Sequence, residues 1–173
     1  MRKAALTVDT WELARLVQEQ HGEAPLAGFS RLLEGLPEQT GRVVSWSVSG
    51  ETNTLGQCFM TLRARVDVTL ECQRCLSMFD YSLQMENRLR LVETEAEIEA
   101  EEAGVDDPDI PDHLLGSSFF DVLELVEDEL ILALPYVPKH EVCPSLPQEL
   151  ETPEGSDTGR PSPFAVLAKL KKD

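Results

Sequence analysis

Two apolar alternations of opposite phase meet at Cys72-Gln73-Arg74-Cys75, and they constrain the fold of this 173-residue chain more than any other feature. Before that tetrapeptide the even positions Cys58, Met60, Leu62, Ala64, Val66, Val68 and Leu70 are apolar and the odd ones mostly polar. After it the odd positions Phe79, Tyr81, Leu83, Met85, Leu89 and Leu91 carry the apolar side. A period of two is the mark of a strand with one buried face. A two-residue turn at Gln73 and Arg74 pairs residues whose numbers sum to 147, setting Val68 against Phe79, Val66 against Tyr81 and Leu62 against Met85. Every apolar position then meets an apolar one, whereas a slip of one residue turns one strand's greasy side to water. The expectation is a long antiparallel hairpin with Cys72 and Cys75 at its tip.

The remaining elements are read around that hairpin. Val44, Trp46 and Val48 alternate with small polar residues, which predicts a strand ending at Gly50. Asp9 followed by Glu12 gives a capping-box pattern ahead of Leu13, Ala14, Leu16 and Val17, which predicts a helix from Thr10 to Gln20. Ser30 is read as the cap of a short helix over Arg31–Leu36. Asp121 with Glu124 opens a second box before Val122, Leu125, Val126 and Leu130, and Pro135 ends that helix near Ala133. The fold class is therefore α+β, an antiparallel sheet built around the hairpin and covered by a few helices.

Charge divides the chain. The net charge is −17, and the run from Glu93 to Asp112 holds ten acids and no base. Self-repulsion together with Pro108 and Pro111 reads as a loop, either a solvated spacer or a lure for a basic partner. Bulk charge argues against a general nucleic-acid binder, because polyphosphate repels such a chain. The local exceptions are Arg63, Arg65, Arg88 and Arg90 on the hairpin's polar face, read as solvated residues or RNA contacts. The prolines between Pro144 and Pro163 mark a linker. Beyond it Ser162-Pro163 starts an amphipathic helix with Phe164, Leu167 and Leu170 on one face and Lys169, Lys171 and Lys172 at its end, read equally as docking back on the domain or as a recognition helix whose Phe164 and lysines contact a partner groove or RNA. The organisation expected is one domain over residues 1–143 with an acidic loop at 93–112, a linker at 144–162 and a helix at 163–173. No apolar run reaches the roughly 18 residues of a membrane helix, and the amino terminus lacks a signal-peptide pattern, so the compartment expected is the cytoplasm.

Cys72-x2-Cys75 at a hairpin tip has the geometry of a zinc knuckle, and His140-x2-Cys143 offers the other two ligands of a closed tetrahedral site. Unmetallated thiols in a turn are the equal alternative. A redox pair is a third reading, though it fits a helix start better than a strand-to-strand turn. Cys58 falls on the apolar face and reads as core. The acids Glu124, Glu127, Asp128 and Glu129 have no neighbouring His, Ser or Lys in their helix to share a proton with, which argues against acid–base catalysis.

Three stretches together carry a resemblance. They are Val68-Thr-Leu-Glu-Cys-Gln-Arg-Cys75, then Leu125-Val-Glu-Asp-Glu-Leu-Ile-Leu-Ala-Leu-Pro135 with Val137-Pro138 and His140, and finally Pro163-Phe-Ala-Val-Leu-Ala-Lys-Leu-Lys171. In these the sequence resembles the YceD family, the large ribosomal RNA subunit accumulation proteins of bacteria and plastids. The resemblance implies a cytoplasmic role in the synthesis, processing or stability of 23S ribosomal RNA, with no catalytic residue to carry over. The partners it implies are a large-subunit precursor, a basic ribosomal protein or 23S rRNA, and neither a membrane nor a small-molecule substrate. Some relatives have more cysteines near the position of Cys143, where this chain has one. The competing classes are a metal-dependent RNA-processing nuclease and a zinc- or redox-sensing binding protein.

Overall fold

The structure, a computed structural model, describes residues 6–102 and 111–144. Met1–His140 form one compact unit and Glu141–Asp173 a second, and the fold described here is that of the first. Among the described residues seven strands and three helices follow one another: β1 (Thr7–Val8), α1 (Thr10–Arg15), β2 (Glu19–Pro25), β3 (Val43–Thr52), β4 (Cys58–Glu71), β5 (Met78–Val92), α2 (Glu95–Glu102), β6 (His113–Leu115), β7 (Phe120–Asp121) and α3 (Val122–Ala133). Five strands form one sheet in the order β2-β3-β4-β5-β6, antiparallel except that β6 runs parallel to β5, while β1 and β7 pair separately. The architecture is the α+β fold expected.

β4 and β5 are the long hairpin, and its parity holds. Met60, Leu62, Ala64, Val66, Val68 and Leu70 are buried on one face, opposite Leu89, Leu83 and their neighbours. Its register differs by two residues from the expectation. Val68 faces Tyr81, Ala64 faces Met85 and Leu70 faces Phe79, so paired numbers sum to 149, not 147. The connection is a six-residue loop from Cys72 to Ser77 in place of a two-residue turn. Within it the Leu76 N–H donates to the Cys72 carbonyl at 2.8 Å and the Cys72 N–H donates to the Ser77 carbonyl at 3.0 Å. A shift of two preserves which side chains face the core, so the hydrophobic pattern is blind to it.

The core lies on one side of this sheet, under α1 on β3 and β4 and under α3 on β4 and β5. Gly50 is required where α1 crosses β3, since a Cβ there would stand 2.4 Å from the Leu13 backbone. Both predicted caps form. The Asp9 carboxylate accepts from the N–H groups of Trp11 and Glu12, and Asp121 accepts from those of Leu123 and Glu124.

Three expectations are corrected. Helix α1 ends at Arg15 and not near Gln20, because Val17 turns the backbone into the left-handed region (φ 50°) and the chain enters β2, pairing Gln20 with Val48. Residues 31–36 form successive turns and not a Ser30-capped helix. Their cap comes from outside, since Glu127 of α3 accepts the N–H groups of Arg31 (2.8 Å) and Leu32 (3.3 Å). The acidic run is not loop throughout, for it contains α2, where alternating Glu and Ala favour helix strongly enough to offset repulsion.

Candidate metal centre

The loop between β4 and β5 brings Cys72 and Cys75 to the end of the sheet, and the segment after α3 returns to meet it. Pro135 stops α3, and the chain bends at Tyr136 and Val137 before the Pro138 carbonyl accepts the Gln73 N–H at 2.9 Å. That bond sets His140 beside the knuckle. Its Nδ1 lies 3.4 Å from the Cys75 sulfur, and its carbonyl accepts from Arg74 at 3.4 Å. The ring packs on Phe79 with centroids 4.6 Å apart, which fixes its plane. The ligand atoms of Cys72, Cys75 and His140 lie within 4.8 Å of one another, and Cys72 is buried. Three of the four residues picked out by spacing thus stand together, and Cys143 belongs to the second unit.

Its electrostatics suit a cation. Burial raises the Cys72 thiol, but hydrogen bonds to the sulfur from the backbone of His140, Cys75 and Arg74 and from the His140 ring outweigh it, bringing the pKa down to about 5. The same partnership raises His140, chiefly through its bond to Cys72 against the opposing effect of burial. The thiol and the imidazole thus favour each other's charged forms. A thiol cradled by backbone N–H groups, one more thiol on the same turn and an imidazole are soft N/S donors of the kind tetrahedral zinc takes, and the cluster could hold such a metal.

The arginines share one face of β4 and β5 and are largely engaged there. Arg63 pairs with Glu86 at 2.8 Å, directly across the strands. Arg88 donates to Glu51 at 2.7 Å through Nε, and its guanidinium stacks 4.0 Å above the Phe59 ring. Arg65 stands opposite Gln84, and Arg90 opposite Phe59 and His113. Phe164, Lys169, Lys171 and Lys172, with the linker and terminal helix, lie outside the described residues.

The acids of α3 have structural work. Glu127, 3% exposed, caps the 31–36 turns and meets the Arg31 side chain at 3.3 Å. Asp128 pairs with Arg31 at 2.5 Å, and Glu129 accepts from Asn87 at 3.0 Å. Sequence reasoning missed the roles of Glu127, Phe79 and Pro138. A Glu inside an otherwise apolar helix face was the available sign for the first, and Val137-Pro138 just before His140 for the last.

Comparison with known proteins adds the following. The family described as large ribosomal RNA subunit accumulation protein YceD matches residues 60–171. A curated protein of that description from Haemophilus influenzae is 35% identical over 123 residues, covering 64% of this chain and 63% of that protein. The chain thus spans less than two thirds of the length of the curated relative it matches. No solved structure matches.

Proposed function

Because the chain belongs to the YceD family, we propose that it is a non-enzymatic cytoplasmic factor in large ribosomal subunit biogenesis, supporting 23S rRNA synthesis, processing or stability by holding a basic ribosomal protein or a pre-ribosomal particle. The carrying observation is the family match from residue 60 to residue 171, which includes the hairpin, the knuckle and α3. The family's description names an accumulation factor, not a reaction. The charge of −17 favours contact through basic protein over contact through phosphate, and the ion pairs of Arg63 and Arg88 within their own sheet face point the same way. The nuclease alternative needs Asp128 and Glu129 free for a metal, while here they hold Arg31 and Asn87.

Cys72, Cys75 and His140, with Cys143 as the fourth ligand offered by the HxxC spacing, are read as a structural zinc site. Bound there, zinc would join the chain after α3 to the hairpin tip, and this chain's own residues prepare the site by lowering the Cys72 pKa and fixing the His140 ring.

Depletion of the protein tests the proposal, with 23S and 16S rRNA compared and a tagged copy followed across ribosomal particles on a gradient. A fall in 23S relative to 16S, with the tag on large-subunit precursors, is expected. Deleting residues 93–112 is expected to weaken binding to a basic ribosomal protein. Unchanged 23S together with a tag confined to the top of the gradient sinks the assignment.

A further inference from the structure

Beside the knuckle lies a groove of about 490 Å³, walled by Leu36 and Pro37 on one side, Leu70 and Met78 on the sheet, and Gln73 and Pro138 at the end. Its lining is as polar as it is apolar, and the apolar part continues outward. Met78 is 54% exposed, and Leu76 of the same loop is 71% exposed. Leu76 also holds a φ of 58°, a left-handed conformation in which glycine is the unstrained residue. A bulky apolar side chain is therefore presented to water from a backbone position that opposes it, and strain of this kind collects at binding sites.

The rim is acidic. Glu71 lines the groove, and Glu34 and Glu38, both exposed, flank the wall formed by Gly35–Pro37. Of the nearby bases, Arg74 is engaged at the His140 carbonyl, which leaves Lys139. A trough whose lining is about half apolar, with Glu71 in its wall and exposed Glu34 and Glu38 next to that wall in sequence, is complementary to a chain carrying one bulky aliphatic side chain between lysines or arginines.

We propose that this groove binds an extended segment of a basic protein, its aliphatic anchor seated against Leu36, Leu70 and Met78 and its cations on Glu34, Glu38 and Glu71. The inference deepens the proposed function by naming the surface that takes a basic partner. Apolar burial supplies the selectivity and charge the attraction, so the two are separable by substitution.

The test uses the full chain and fluorescent twelve-residue Lys/Arg-rich peptides with a central Leu, or with Ser in its place, read by anisotropy. Burying one aliphatic side chain corresponds to a preference for the Leu peptide of about ten- to hundredfold. Met78→Asp is expected to abolish that preference, while its added carboxylate leaves the Ser peptide bound at least as tightly. Glu71→Lys is expected to weaken both peptides and flatten their salt dependence. Both positions are exposed, and if Met78→Asp fails to fold, the Met78 methyl resonance of the wild-type protein must shift with the Leu peptide and not with the Ser peptide. Equal affinity for the two peptides overturns the proposal, as does a Leu preference that survives Met78→Asp. A single-stranded oligouridine that displaces the Leu peptide from the Met78 surface also overturns it, in favour of RNA. If the protein co-sediments with large-subunit precursors but shows no preference between peptides, the groove is wrong and the assembly role stands. If the preference is present but 23S levels do not depend on the protein, the reverse holds.

Discussion

Glu127 and Arg31 are joined twice across 96 positions of sequence, since the carboxylate accepts the Arg31 backbone N–H at 2.8 Å and meets its guanidinium at 3.3 Å. The same oxygen accepts the Leu32 N–H, so one buried side chain of α3 terminates the turns that cover the sheet's end. Glu127→Ala strands two N–H groups beside the core. A loss of about 2–4 kcal/mol in urea unfolding is expected, from two donors left unpaired at roughly 1–3 kcal/mol each with partial relaxation. Glu127→Gln keeps an acceptor and is expected to lose less. Equal stability of wild type and Glu127→Ala contradicts the capping role.

Val17 ends α1 in a left-handed conformation that its β-branched side chain opposes, and the side chain is exposed. That conformation costs an L residue roughly 1–2 kcal/mol, of which glycine's unfolded-state entropy returns roughly 0.5–1. Val17→Gly should therefore raise the urea midpoint by an amount equivalent to about 1 kcal/mol or less. Leu76→Gly should stabilise for the same reason, yet weaken the Leu-anchored peptide. Loss of stability in either variant refutes the backbone account.

The faces of β3, β4 and β5 were legible in the sequence because alternation survives any even shift of register, and for that reason the shift from 147 to 149 was not. The loop length depends on Leu76 adopting a positive φ, which a Leu does not announce. Both caps were legible from Asp9 and Asp121, since capping is local. Strand β2 was hidden because Glu19-Gln-His-Gly-Glu is polar and its pairing with β3 is a tertiary fact. The metal centre was legible as four residues from CxxC and HxxC spacing. The contacts that fix it, Gln73 to Pro138 and His140 on Phe79, depend on how the chain returns after α3.

Two surface carboxylates set a direction for acid unfolding. The hydrogen bond from Arg42, helped by Thr69, holds Asp80 below its ordinary value of 3.8, and the hydrogen bond and charge of Arg63 hold Glu86 below 4.5. A carboxyl depressed in the folded state contributes stability above its unfolded pKa and loses it as pH falls through the folded one. The window here opens below about pH 4.5 and extends downward. The double variant Arg42→Met, Arg63→Met should show a shallower fall of urea midpoint from about pH 5 to about pH 3 than the wild type. Parallel curves rule out the contribution.

The zinc reading is tested by mass and by protection together. Native mass spectrometry should find one zinc per chain, lost from Cys72→Ser and Cys75→Ser but kept by His140→Cys, which preserves a four-ligand tetrahedral set. A redox pair would instead appear as a reversible loss of two hydrogens with no metal. Chelation should lower the melting temperature and speed amide exchange at Gln73, because its N–H bond to Pro138 spans the two segments that the ion joins. The caps at Asp9 and Asp121 lie elsewhere in the chain and should keep their protection. Metal-free protein with unchanged exchange at Gln73 would make the cluster a set of thiols in a turn.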